Sequence, residues 1–241
     1  MKQFAHKSNF FTVCLSVVLF FISCGSVGTV QVPPVKVGPA DVVNVVLVNP
    51  YTEIMLLENK QEAAYSEPLS YASGQLIKEA IWEQKFWIPV TDTTSIKGDS
   101  IINTYKSFLR SVMVTKEAER YYVPVPSELD SLIERTGHRF GMIVWGTGFE
   151  RSKGNQRKAE ALSLAVGILT AVATMGTAYY LSTPYEGALT LNAVIIDTRD
   201  DCVVYHNSVS ATDKKPTDYS TVNSLVKKLF SDYYSPGYQL Y

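Results

Sequence analysis

The residues of this sequence best suited to chemistry are three histidines, three cysteines and one closely spaced glycine pair. Histidine acts as a base or a metal ligand beside an orienting partner, and thiols or glycine loops act in set spacings. The chain contains no His-Glu-x-x-His, no Gly-x-Ser-x-Gly and no Gly-x-x-x-x-Gly-Lys. His138 follows Gly137, where a helical pattern stops, and reads as a partly exposed residue at a helix end. His206 continues a strand pattern beside Asn207 and reads as a sheet-surface residue. Gly146-Thr147-Gly148 follows an apolar run, as a dinucleotide loop would, but Arg151 stands in the third glycine's place. A strand-end bulge is therefore the expected structure. No catalytic, cofactor or metal site is expected, and an enzyme is the least favoured class.

The one modification the residues specify is at Cys24. Residues 1–9 carry Lys2 and Lys7 and no acid, and residues 10–23 (FFTVCLSVVLFFIS) form an apolar run of 14 residues. A membrane span needs about 20 such residues, so the run has signal-peptide length. It closes in Ile22-Ser23-Cys24-Gly25-Ser26. A small residue before the cysteine and Gly-Ser after it resemble the bacterial lipobox, with Phe21 in the place of the usual Leu. The resemblance implies cleavage before Cys24, lipidation of its sulfur and acylation of the new amine, which together hold a protein firmly to a membrane. Cys14 would leave with residues 1–23, so Cys202 would remain as the only free thiol. Inside the apolar segment Cys202-Val203-Val204-Tyr205 it is expected to be buried and inert, and the fold must stand without a disulfide.

Residues 1–23 contain two of the 22 basic residues and none of the 23 acids, which leaves a net charge of −3 on the remainder. A nearly neutral chain without a long basic run excludes nucleic acid as the expected partner. Residues 24–40, rich in Gly, Val and Pro, read as a lipidated tether, and residues 41–235 as one α/β domain. Residues 236–241 form a tail. No acidic cluster follows Cys24, so the expected location is the outer membrane, facing the periplasm.

Elements that must carry these residues follow from periodicity. Residues 42–48 (VVNVVLV) predict a buried strand that ends at Asn49-Pro50. Residues 70–86 predict a helix, and residues 86–90 (FWIPV) a short second strand. Ile101, Ile102, Tyr105, Phe108, Leu109 and Val112 are spaced as on one helical stripe. Ser127 with Asp130 predicts a capping box, and Gly137 the left-handed stop of that helix. Residues 140–149, 188–197 and 202–210 predict three strands, the last two joined by a turn at 198–201. Val222, Leu225, Val226, Leu229 and Phe230 predict a final helix. The order gives an α/β fold, a mixed sheet covered by helices.

A strand, a helix, and then a glycine-stopped helix before a strand closing in Trp145-Gly146-Thr147-Gly148 resemble a known family. It comprises bacterial lipoproteins related to the curli secretion channel and to the amino-terminal domain of TolB. The likeness covers roughly residues 41–234 as an order of elements and is specific over 138–149 and 189–205. Family members continue with a leucine-rich strand ending in Asp, a turn, and a strand that often holds Trp. Here these are residues 189–197 (LTLNAVIID), the turn, and Val203-Val204-Tyr205. Asp201 stands where the family usually has Gly, and Tyr205 where it often has Trp. The resemblance implies a TolB amino-terminal-like sandwich and a non-enzymatic role in assembly, or as accessory of an envelope or secretion complex.

Between the two specific patches lies a hydrophobic insertion, residues 150–187. Its centre, residues 161–181 (ALSLAVGILTAVATMGTAYYL), holds no charge in 21 residues and follows Arg151, Lys153, Arg157 and Lys158. Three readings stay open. A transmembrane helix fits by length, but it would place strands assigned to one sheet on opposite sides of a membrane. A membrane β-hairpin would need alternation that is missing here. A helix or helical hairpin buried against the domain, a second copy or the membrane surface meets neither objection. Ser163, Gly167, Thr170, Thr174 and Thr177 would then form one stripe of small residues, suited to self-association or membrane contact. Two function classes result: an envelope protein that assembles with itself or with a complex, and, alternatively, a periplasmic module binding peptide or glycan through its aromatic residues.

Overall fold

The computed structural model describes residues 37–59, 62–96, 98–152 and 185–234, all within the unit spanning Pro34–Tyr241. The expected signal and lipid-anchor segment and the centre of the insertion lie outside the described residues.

The architecture is a six-stranded mixed sheet with helices on both faces. Strand β1 (Val45–Asn59) is central, and its first half pairs in parallel with β3 (Val90–Thr94) on one side and β4 (Phe140–Arg151) on the other. Its second half pairs antiparallel with the short β2 (Glu62–Tyr65), on the side where β3 has ended. Beyond β4 the sheet continues antiparallel through β5 (Gly187–Asp197) and β6 (Cys202–Thr212). Helix α1 (Glu67–Glu83) joins β2 to β3, while α2 (Asp99–Val114) and α3 (Ser127–Glu134) lie between β3 and β4. Helix α4 (Tyr219–Ser231) follows β6. The chain moves outward from β1 to β3 and then back across β1 to β4. Right-handed crossovers must therefore place α1 and the α2–α3 pair on opposite faces. The two cores obey this rule. Ile77 and Ile81 of α1, with Val222, Leu225 and Phe230 of α4, pack on the face of Leu47, Met142 and Leu191. Tyr105, Phe108 and Leu109 of α2, with Leu129 and Ile133 of α3, pack on the face of Val46, Ile143 and Val194.

Strand β1 does not stop at Pro50. Proline has no N–H for a ladder, and a register shift between Val48 and Tyr51 lets the strand pass it. The second strand is not residues 86–90 but Val90–Thr94; Phe86 lies in the turn after α1 and is 86% exposed. The box expected at Ser127 does not form. Pro126 is the N-cap of α3, and the Ser127 hydroxyl turns to Glu128. Gly137 does take the positive φ, at 77°, that ends the helix. The glycines of β4 do not mark a bulge, for its pairing with β5 is unbroken from Phe140 to Glu150. They permit close approach instead. A β-carbon at Gly148 would overlap the Ala188 carbonyl, and one at Gly146 would lie 2.9 Å from Thr52 Cγ2.

Candidate functional site: a polar band and an aromatic cleft on the sheet

The residues singled out by sequence for attachment and contact, Cys24, Gly167, Thr170, Thr174 and Thr177, lie outside the described residues. Cys202 lies within them and is 3% exposed. Burial, followed by the nearby Asp197, Asp200 and Asp201, pushes its thiol up to about 11, so it is inert. His138 is held rather than free: Nδ1 lies 2.9 Å from Thr136 Oγ1, and Nε2 3.2 Å from Thr91 Oγ1. The Arg139 guanidinium beside it grips the fully buried Asp197 carboxylate at 2.9 Å and 2.6 Å, tying the start of β4 to the end of β5. Among the described residues no group of His, Cys, Asp and Glu could hold a metal, and no helix is long and apolar enough to cross a membrane.

One face of the sheet carries a band of polar groups that periodicity did not single out. Trp145 belongs to the core under α2 and α3, and Thr147, two residues on, shares its face. Asn192 of β5 stands directly opposite Trp145. Thr147 and Asn192 are 3% and 2% exposed. Among the described residues, neither the Thr147 hydroxyl, the two ends of the Asn192 amide nor the Trp145 indole N–H has a hydrogen-bond partner. A buried polar group left unpaired costs about 1–3 kcal/mol, so this face holds unmet capacity for several hydrogen bonds. On β1 the band continues in Glu53, which accepts 2.7 Å from Lys106 Nζ of α2 and 3.0 Å from the Tyr51 hydroxyl. The Lys106 ammonium also sits 4.8 Å over the Tyr51 ring. Burial works against the charge on Lys106, but its bonds to Glu53 and Tyr51 more than offset this and raise its pKa. The Glu53 carboxylate is taken up by Lys106 and Tyr51, and the rest of the band presents polar groups that can bind a polar ligand. Its only trace in the sequence is that Thr147, Thr190 and Asn192 interrupt otherwise apolar strands.

A second feature lies at the first half of β6, a cleft of about 250 Å³ lined by Arg120, Tyr121, Tyr205, His206 and Tyr233. Tyr205 and Tyr233 have ring centroids 4.4 Å apart, and the Tyr205 hydroxyl donates to the Leu229 carbonyl. His206 is thus not a plain sheet-surface residue. Its Nε2 is buried without a partner among the described residues, and burial, then Arg120, pulls its pKa down to about 4, so the ring is neutral. Tyr234 joins this packing, its ring edge-on to that of Tyr233 with centroids 4.8 Å apart.

No protein-family model and no curated protein matches the chain. Some solved structures do resemble it. The PelC dodecamer from Paraburkholderia phytofirmans aligns with a TM-score of 0.37 at 9% identity, over 83% of this chain and 91% of that one. Lipoprotein GNA1162 from Neisseria meningitidis gives 0.32 at 9% identity, over 79% and 95%. The LpoB C-terminal domain from Salmonella enterica gives 0.29 at 7% identity, over 75% and 87%. At such scores nothing of these neighbours transfers to this chain.

Proposed function

We propose that this chain is a bacterial envelope lipoprotein, lipidated at Cys24 and held at the outer membrane facing the periplasm. Its α/β domain, of the kind shared by lipoproteins related to the curli secretion channel and TolB, serves without catalysis in assembly or as an accessory of an envelope or secretion complex. The observation that carries the reading is the junction within residues 1–26, where a basic start, an apolar run of signal length and Ser23-Cys24-Gly25-Ser26 follow in order. The buried, inert Cys202 supports it, because the domain core stands without a disulfide even in an oxidising compartment. The stripe Gly167, Thr170, Thr174 and Thr177 is the proposed surface for self-association or membrane contact. A second reading, a peptide- or glycan-binding module, is favoured by the aromatic cleft beside β6. Labelled palmitate fed to cells tests the anchor. The full-length protein should take up label and fractionate with membranes, while Cys24→Ala should remain an unlabelled precursor. Normal processing and membrane retention of Cys24→Ala would end the lipoprotein reading.

A further inference from the structure

We propose that the outer edge of β6 is a self-pairing interface, on which β6 of a second copy of this chain adds antiparallel about a two-fold axis at Ser210. The proposal concerns the folded domain and stands independently of the lipid anchor.

Hydrogen bonds fix which way the backbone of β6 faces. Thr198 N–H donates to the Arg139 carbonyl and Arg151 N–H to the Glu186 carbonyl, so even-numbered residues of β5 turn their backbone toward β4. Odd-numbered residues of β5 then turn toward β6. Since Leu191 pairs with Val209 and Leu189 with Ala211, odd-numbered residues of β6 face β5. Ser208, Ser210 and Thr212 must therefore direct N–H and C=O groups away from the sheet. All three are exposed. The Ser208 N–H is taken by the neighbouring Asn207 side chain at 2.8 Å, and among the described residues no side chain caps the N–H of Ser210 or Thr212 in this way.

An exposed edge invites another strand, and proteins that keep an edge free blunt it with charge, proline, bulges or short strands. Residues 202–212 (CVVYHNSVSAT) hold no charged residue and no proline, and the one bulge falls near Val204, outside the open half. The edge suits its own copy in particular. Reversal about Ser210 sets Ser208 against Thr212 of the second copy on one face, hydroxyl to hydroxyl. On the other face it sets Val209 against Ala211, so the apolar row of the α1–α4 core runs on across the junction. The same hydroxyl exchange already occurs one strand inward, where Thr190 Oγ1 and Ser210 Oγ are 2.8 Å apart. No like charges are brought together.

Ser210→Pro is the direct test, because it deletes an N–H that points away from β5 and leaves the β5–β6 ladder whole. Full-length protein in detergent should be dimeric or larger by light scattering. Ser210→Pro should raise the dimer dissociation constant about tenfold or more, since two mutual bonds are lost. Directly opposed residues of a bonded antiparallel pair have α-carbons about 5.5 Å apart, within disulfide range. Ser210→Cys should therefore form a disulfide-linked dimer on mild oxidation, while Ser208→Cys, far from its own copy, should not exceed the unsubstituted protein. A monomeric wild type, an oligomer indifferent to Ser210→Pro, or crosslinking of Ser208→Cys as readily as Ser210→Cys each overturns the proposal. Should circular dichroism show Ser210→Pro misfolded, the two cysteine variants decide alone.

Discussion

On the β1 side of the sheet, the outward backbone groups are met three times along one strand. Val45–Val48 pair with β3, and Met55–Asn59 with β2. In the gap between, helix α1 takes over: the Ile54 N–H donates 2.9 Å to Ser70 Oγ, the Ser66 N–H donates 2.9 Å to the Ile54 carbonyl, and the Thr52 hydroxyl donates to the Ser70 carbonyl. On the β6 side, among the described residues, a single strand of 11 residues is lined by a short 3-10 turn, Glu117–Tyr122, along its first half. Even the outermost strand of the first side is short, and Asp92 caps the N–H of Thr93 at 2.7 Å. One edge is thus built to be closed, and the other keeps pairing capacity.

Forcing the closed edge open should cost the fold most. Gly74 of α1 lies so close to β1 that a β-carbon there would be 3.3 Å from the Pro50 carbonyl and 3.5 Å from Thr52 Oγ1. Gly74→Leu cannot be absorbed by a flexible neighbour, because the nearest atom is backbone. A loss of about 3 kcal/mol in urea unfolding is expected. A cost under about 1 kcal/mol would show that α1 does not seal this edge. Ser70→Ala is the milder version. It leaves the buried Ile54 N–H unpaired and should cost about 1–3 kcal/mol without altering oligomeric state. If Ser70→Ala instead promoted association as strongly as the wild-type β6 edge, the contrast between the edges would be lost.

The covered half of β6 is expected to respond to pH through His206. Its pKa falls from 6.5 to about 4 in the folded protein, so the unfolded chain takes up the proton first. The contribution of the neutral ring is complete above about pH 6.5, is lost as pH falls from there toward 4, and changes no further below. Urea midpoints measured from pH 7.5 to 4.5 should decline more steeply for the wild type than for His206→Gln. Parallel curves would place the ring in an environment that does not disfavour its charge.

Much of this contrast was hidden from sequence for identifiable reasons. The central strands were legible because apolar residues fill both faces, as in residues 140–149 and 189–197. The amphipathic stripes of α2 and α4 were legible because one face of each is apolar. The closed edge was not. Asn49-Pro50 carries a strong stop signal, and only a shift in register, a tertiary feature, carries β1 through it. Residues 51–59 mix Thr, Glu and Asn with apolar residues because their neighbours include a helix terminus. β2, four residues long, has too short a pattern to read. The polar band was equally silent, since single Thr and Asn residues within apolar runs do not reveal that Trp145, Thr147 and Asn192 meet on one face. The open edge was half legible: the strand and its lack of charge are in the sequence, but which residues face outward depends on the ladder.

The smallest effect expected is at the cap of α4, the helix that backs β6. Asp218 is its N-cap, and its carboxylate accepts 3.0 Å from the Thr221 N–H and 2.6 Å from the Thr221 hydroxyl. These bonds, with that from Ser220, hold the carboxyl at about 2, below its usual 3.8. A depressed acid stabilises the fold above its unfolded pKa and loses that contribution as pH falls from 3.8 toward 2. Asp218→Ala should therefore cost about 1 kcal/mol at neutral pH, and the gap to wild type should narrow in acid; Asp218→Asn, which still caps, should lose less. The far end of α4 is fastened separately, because the Leu229 carbonyl accepts from Tyr205 and, at 2.8 Å, from the Asn207 amide. Faster hydrogen exchange in Asp218→Ala is expected in the first turn of the helix and not around Leu229. Because Asn207 stays anchored, the open edge and its self-association should not change. Loss of association in Asp218→Ala would mean that the edge is held in place by the whole helix rather than by its last turn.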